Sequence, residues 1–259
     1  MRTIQSHTIE AMTMPFTLCL VGQDKQVVTE ALSQLVEPVT EELGRLEAKF
    51  SPFLPHSLVT QFRQGQVKVL FDKEFQEVYT AVQAAKIETE GFFNPYDHDA
   101  YDPTGFVKGW IVEKIYRKYL LPLLVNPLIE AVAINGAGDM QFATAQSSDF
   151  SWKIGIENPD KPQDLLAQLT MKAGAVATSG YSKRGRHLRI LGPEDLKQVT
   201  IIGHSLSWAD VWATAALSAG QTVFDRLLVQ EKLSGLYIHQ TGLQFFRNGE
   251  FETCQKTII

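Results

Sequence analysis

The sequence predicts an α+β fold, on three observations. Apolar residues recur at helical spacing in long stretches (25–48, 72–88 and 208–219), while other stretches alternate as strands. Strands and helices do not alternate regularly along the chain, as a doubly wound parallel sheet requires. No internal repeat or low-complexity linker divides the 259 residues, which are enough for one large domain or two small interlocked ones.

Taken in order, residues 8–21 are β-rich, with Pro15 marking an edge or a bulge. Gly22-Gln23-Asp24 is a turn. Val28, Leu32, Leu35, Val36, Val39, Leu43 and Leu46 then form the apolar stripe of a helix over 25–48, which Pro38 is expected to kink. Residues 50–57 are a Pro-rich loop. A second helix over 72–88 turns Phe75, Val78, Val82, Ala85 and Ile87 inward and ends at Gly91, a C′ glycine. The aromatic, turn-rich stretch 92–104 has two readings, an ordered loop beside a site or a surface loop whose aromatics cap the core.

Gly105 to Gly109 opens a helix running to about Leu120. Residues 121–129 connect to a strand over 130–134, a turn at Asn135-Gly136-Ala137-Gly138-Asp139, and a returning strand over 140–143. Gly-x-Gly here is a weak nucleotide signal, because a strand follows it and not the helix of a dinucleotide fingerprint. Further strands fit 151–156, 172–178, 187–190 and 199–202, with a basic turn at Lys183-Arg184-Gly185-Arg186. The Asp210 helix, an amphipathic helix over 221–232, and a hairpin of 234–240 and 242–247 turned at Thr241-Gly242 complete the chain.

The bulk properties exclude several classes. A net charge of −5 gives no electrostatic case for nucleic acid or an anionic membrane, so an anionic ligand must be held by local donors. Cys19 and Cys254 form neither a metal spacing nor a disulfide framework, which points to a reducing cytoplasm. The first residues lack the apolar core of a signal peptide, and no run reaches the roughly 18 apolar residues that span a bilayer. A cytoplasmic protein without a membrane anchor is expected.

Asp210 and Thr214 carry the first chemical signal. Four residues apart on one helix, a carboxylate and a hydroxyl project from the same face. Both are hard oxygen donors of the kind Mg2+ takes alongside substrate phosphates. The same spacing also occurs in ordinary helix starts, with the Asp capping or solvated and the Thr bonded to its own backbone. Lys108 sits within the first turn of its predicted helix, where a cation opposes the helix dipole. An anion bound at that helix start accounts for it; so does a solvated surface lysine. Thr178-Ser179-Gly180, at a strand end, is either a grip for a polar ligand or a turn.

Together these stretches resemble the ApbE family, the FAD:protein FMN transferases. The match is in order. Met12-Thr13-Met14 falls where the family has a Met-Gly-Thr-type element. Leu46-Glu47-Ala48-Lys49-Phe50-Ser51, with Pro55-His56-Ser57, resembles its serine loop. Glu90-Gly91-Phe92-Phe93-Asn94-Pro95 resembles its Gly-x-Phe-(Asp/Asn)-Pro. Gly105-Phe106-Val107-Lys108-Gly109 with Glu113 resembles its Lys-Gly motif. Asn135-Gly136-Ala137-Gly138-Asp139 resembles its Asn-x-Gly-Gly-Asp, Ala177-Thr178-Ser179-Gly180 matches Ala-Thr-Ser-Gly, and Asp210-Val211-Trp212-Ala213-Thr214-Ala215 resembles its Asp-to-Thr helix motif. The resemblance covers roughly residues 10–250.

What the resemblance implies is specific: a mixed α/β fold of two interlocked halves, roughly 1–130 and 131–259, around an FAD cleft. FAD is the substrate and Mg2+ the cofactor, with Asp210, Thr214 and the backbone oxygen of Val107 as protein ligands. A threonine hydroxyl of an acceptor flavoprotein attacks the FMN-side phosphorus, and AMP leaves. Lys108 adds charge stabilisation and His187 serves as base or flavin contact. Met12, Thr13, Ser57, Gly136, Gly138, Asp139, Thr178, Ser179 and Gly180 line the FAD site, and Glu113 faces the adenosine. The alternatives are an FAD diphosphatase, with water replacing the acceptor, and a non-catalytic FAD-binding protein. The chain departs from the family pattern at four places: Ala137 replaces the second glycine, Glu113 an aspartate, no Asp-Pro-x-Thr-Gly follows His187, and the segment between the Gly-x-Phe-Asn-Pro and Lys-Gly motifs is short.

Overall fold

In the computed structural model, which describes residues 2–97, 100–180, 191–240 and 242–252, nine strands form one antiparallel sheet with helices on one face. In chain order the elements are β1 (Thr3–Ala11), β2 (Met14–Gly22), α1 (Lys25–Phe50), α2 (Leu58–Arg63), α3 (Lys73–Glu88), β3 (Tyr96–Asp97), β4 (Ala100–Tyr101), α4 (Thr104–Ile115), β5 (Ile129–Gly136), β6 (Asp139–Thr144), β7 (Trp152–Asn158), β8 (Lys161–Met171), β9 (Gly174–Gly180), β10 (Leu196–Gly203), α5 (Leu206–Ala219), α6 (Gln221–Gln230), β11 (Ser234–His239), β12 (Gly242–Arg247) and β13 (Glu250–Glu252). The sheet runs β1-β2-β5-β6-β9-β10-β11-β12-β13, while β3–β4 and β7–β8 are separate two-stranded pairs. This is the expected α+β arrangement, an antiparallel sheet with its helices segregated.

Alternation along the strands divides the core in two. Phe16, Leu18, Leu20, Val132, Ile134, Ala177 and Val199 face the helices and pack with α1, α4, α5 and α6. Val21, Ala131, Ala133, Phe142 and Val176 face the other way, against Trp152, Ile154 and Ile156 of the β7–β8 hairpin. Both faces of the central strands are therefore dry, which is why β5 is buried along almost its whole length.

Several local expectations change. The β-rich opening is a hairpin and not one strand: Met12 and Thr13 both take left-handed φ (53° and 59°) and turn β1 into β2. Neither is a glycine or asparagine, so the turn carried no compositional mark. α1 starts where Asp24 Oδ1 accepts from the amides of Gln26 (2.8 Å) and Val27 (3.3 Å), and it continues unbroken through Pro38. α3 closes with two residues in the left-handed region, Glu90 (φ 53°) and then the expected Gly91 (φ 85°); the Glu90 amide reaches Ile87 O (3.0 Å) and the Gly91 amide reaches Lys86 O (2.7 Å). Phe93 and Tyr101 of the aromatic stretch are buried, so its aromatics cap the core. The α4 segment continues through a π-helical turn, Tyr116–Leu120, and ends in a 3-10 turn, Leu121–Val125. β8 was not anticipated at all. The expected strand over 187–190, the basic turn 183–186, His187, Thr241 and Cys254 lie outside the described residues. No helix among the described residues is long and apolar enough to cross a membrane.

Candidate active site

Four segments meet at one end of the sheet: the first two turns of α4, the β5–β6 turn, the end of β9, and the second turn of α5. Lys108 is the fifth residue of α4, one residue further in than the sequence placed it. It is only 6% exposed. It is therefore not a solvated surface lysine. Its ammonium contacts Asp139 Oδ2, at the start of β6, and lies 3.3 Å from Asp210 Oδ2 on α5. Asp139 Oδ1 accepts from the backbone amide of Thr178 (2.9 Å), which ties the β6 start to the end of β9.

Asp210 is the fifth residue of α5 and does not cap it; Ser205 does. The carboxylate is 1% exposed, and its buried Oδ2 has no hydrogen-bond partner among the described residues. Lys108 Nζ makes an ion contact with that oxygen but is not aligned as a donor to it. A buried, unsatisfied carboxylate oxygen is costly and calls for a cation or a donor. Thr214 stands one turn on, its Oγ1 3.4 Å from Ser179 Oγ. Val107, directly before Lys108, has its side chain in the core, so its carbonyl is the only part that could serve a metal. Among the described residues no three His, Cys, Asp or Glu side chains converge into a cage. A carboxylate, a hydroxyl, a carbonyl and substrate phosphate oxygens nevertheless make the oxygen set that suits Mg2+. The unpartnered Asp210 Oδ2 fits that cation.

Close packing makes the meeting possible. A Cβ on Gly109 would lie 3.0 Å from both Leu206 O and Ser207 Cα, so glycine lets α4 and α5 touch backbone to backbone. A Cβ on Gly136 would lie 2.6 Å from a Val112 methyl. Gly136 thus seats the β5–β6 turn on α4. Gly138 (φ 104°) and Ala137 (φ 52°) make the turn itself, with Asn135 Oδ1 accepting from the Gly138 amide (2.7 Å).

The end of β9 serves two faces. Ser179 points to α5 and Thr214. Thr178 points to the opposite face, its Oγ1 2.9 Å from Thr200 Oγ1. There a cavity of about 350 Å3 opens between the sheet and the β7–β8 hairpin, lined in part by Thr178, Gly180, Gly138, Met140, Asn158 and Gln198. β9 pairs with β6 only as far as Met140↔Val176, whereas its pairing with β10 extends to Gly180↔Gln198. The rim therefore has a notch at the start of β6, across which the Asp139 carboxylate reaches the Thr178 amide. The Met12–Thr13 turn sits on the same rim, since Phe16 pairs with Gly136 and the Ala137 amide donates to Pro15 O (3.0 Å).

Two expected site residues are elsewhere engaged. Ser57 caps α2, its Oγ accepting from the Thr60 amide (3.0 Å) and donating to Thr60 Oγ1 (3.1 Å). Glu113 Oε2 accepts from Ser205 Oγ (2.8 Å), Ser207 Oγ (2.8 Å) and the Ser207 amide (3.3 Å), and Glu113 pairs with Arg117. Burial alone would raise its pKa, but the hydrogen bonds from Ser207 and Ser205, with the Arg117 charge, hold it below the ordinary carboxylate range. Sequence reasoning missed Gly109 as a contact and Gln141 as an anchor of the α5 start. Only the serines flanking Leu206 marked that start.

Fold and site together define an α+β protein with a buried lysine between two aspartates at the crossing of two helices. Residues 97–237, more than half of the chain, match the model of the ApbE family, and the chain belongs to that family. The fold is similar to that of an ApbE protein from Thermotoga maritima (TM-score 0.74, 16% identity, covering 94% of this chain and 97% of that one). It is similar to the flavin transferase ApbE of Vibrio cholerae (0.68, 14%, 96% and 98%) and to the apo form of the Pseudomonas stutzeri flavinyl transferase ApbE (0.69, 18%, 93% and 92%). No curated protein sequence matches this one.

Proposed function

We propose that this chain transfers the FMN moiety of FAD to a threonine hydroxyl of an acceptor flavoprotein, with AMP as the leaving group. The observation that carries the reading is the buried, unpartnered Asp210 Oδ2, with Lys108 beside it and Thr214 one turn on. A threonyl oxygen–phosphorus bond forms, and the phosphorus–oxygen bond to AMP breaks. Such a transfer needs positioning and charge neutralisation on a diphosphate more than covalent help from the enzyme.

Asp210, Thr214 and the Val107 carbonyl would hold Mg2+, which when bound supplies charge neutralisation on the diphosphate. Lys108 adds a fixed positive charge at the same place, and Asp139 keeps it aimed there. Thr178, Gly138 and Gly180 lend the cavity beyond the notch to the flavin side of FAD. The Met12–Thr13 turn borders the same rim. His187 takes the hydroxyl proton by its family position.

The test follows AMP release from FAD and Mg2+, with and without a peptide carrying an acceptor threonine. AMP together with covalent flavin on the peptide is the expected result. AMP with free FMN and an unlabelled peptide would replace the transferase with a diphosphatase. Bound FAD without AMP in either tube would leave a flavin-binding protein.

A further inference from the structure

We propose that Glu113 is a positioning residue: it fixes the first turn of α5 so that Asp210 stands over Lys108 and Asp139, and it makes no contact with FAD. This rests on the site reading above and departs from the adenosine-facing role that the resemblance implies.

The carboxylate is engaged within the protein on both oxygens. Oε2 receives three donors from Ser205 and Ser207, and Oε1 receives Arg117. Oε2 has no acceptor position left for an adenine amine or a ribose hydroxyl without displacing one of these partners, and Oε1 already carries the Arg117 guanidinium. The side chain is also buried, at 7% exposed. Its location explains the arrangement. Glu113 lies one turn after Gly109, the point where α4 and α5 touch. The first amides of α5 are answered in sequence: Leu206 by Gln141 Oε1 (3.1 Å), Ser207 by Glu113 (3.3 Å) and Trp208 by Ser205 Oγ (3.5 Å). Gln141 Nε2 also holds the His204 carbonyl (3.1 Å). An anion at this helix start is favoured by the helix dipole. Asp210 is less than one turn beyond Ser207, so a shift of the helix start moves its carboxylate away from Lys108.

The test compares Glu113→Ala with Glu113→Gln, which keeps an acceptor oxygen for the serines. Glu113→Ala is expected to lower kcat about 30-fold and to raise the Mg2+ half-saturation point about tenfold, as a misplaced catalytic group does. The FAD dissociation constant, read from flavin fluorescence without Mg2+, should stay within about twofold, because no ligand contact is lost. In the ligand-free protein the Ser207 and Trp208 amides should exchange faster. Glu113→Gln should restore their protection and most of kcat. If Glu113→Ala does not fold, Ser207→Ala removes one hydroxyl donor and should give the same pattern, weaker. FAD binding weakened about tenfold or more, with α5 exchange unchanged, would overturn the proposal and place Glu113 on the ligand. Exchange is read without turnover. An inactive wild-type protein would therefore count against the transferase, while the clamp would still be judged on its own.

Discussion

Two clusters of charge in this molecule make a useful contrast. Between α1, α3 and α4, Arg45 and Lys49 pair with Glu42, Asp72 and Glu74 (2.6–2.8 Å), and Lys114 and Lys118 add contacts to Glu74 and Glu42 (3.1 and 3.2 Å). Four cations serve three carboxylates, and the network borders solvent, with the Arg45 side chain 43% exposed. At the α4–α5 crossing one lysine serves two aspartates, all of them buried, and one carboxylate oxygen has no hydrogen bond. The first cluster carries one cation in excess, and each of its carboxylates is paired. Among the described residues the second carries one carboxylate in excess and an oxygen without a hydrogen bond, the difference that a bound cation would answer.

Breaking the second cluster should have the larger effects. Asp210→Ala is expected to abolish Mg2+-dependent AMP release while the protein still folds, as shown by an unchanged far-UV circular dichroism spectrum. Asp139 still pairs with Lys108 in this variant, so the buried lysine keeps a counter-charge. Asp139→Ala should reduce both turnover and stability, by about 3 kcal/mol in urea unfolding, because it strips Lys108 of its closest partner inside a dry site. It also leaves the Thr178 amide without its acceptor. Thr178→Ala, on the cavity side, should weaken FAD binding by about tenfold or less while leaving turnover at saturating FAD nearly intact. Unchanged FAD affinity would remove the cavity from the flavin site.

The first cluster should respond least. Arg45, Lys49 and Lys114 hold the Glu74 carboxyl well below its ordinary value of 4.5. A carboxyl lowered on folding contributes stability that is full above the unfolded pKa and is lost as the pH falls below it. Glu74→Gln should therefore flatten the acid limb of a stability–pH profile below about pH 4.5 and cost about 1 kcal/mol or less at neutral pH. AMP release should not change.

Much of this was legible in the chain itself. The helical period that ends at Leu46 closely matches α1, and the one over 72–88 matches α3 except at Ile87, which was expected inward and is exposed past the last buried turn; the Ser205 cap with the small residues after Trp208 marks α5. The motif order placed Lys108, Asp139, Asp210 and Ser179 together before any geometry was known. What stayed hidden has physical causes. β8 is exposed over its first five residues, has no fully buried residue and pairs only with β7, so it lacks the apolar alternation of a core strand. The Met12–Thr13 turn has no turn-forming residue. Burial of Lys108 was not readable, because it depends on two carboxylates about 30 and 100 positions away. Ser57 and Glu113 were placed on the ligand by resemblance, yet their oxygens satisfy helix starts. Such engagements depend on partners that only the fold supplies.

The most direct test measures AMP release from FAD and Mg2+ by wild-type protein, Asp210→Ala and Glu74→Gln side by side. The account predicts full activity in the wild type and in Glu74→Gln, and none above background in Asp210→Ala. Equal activity in all three would contradict it, since the buried aspartate would then be no more than another structural charge.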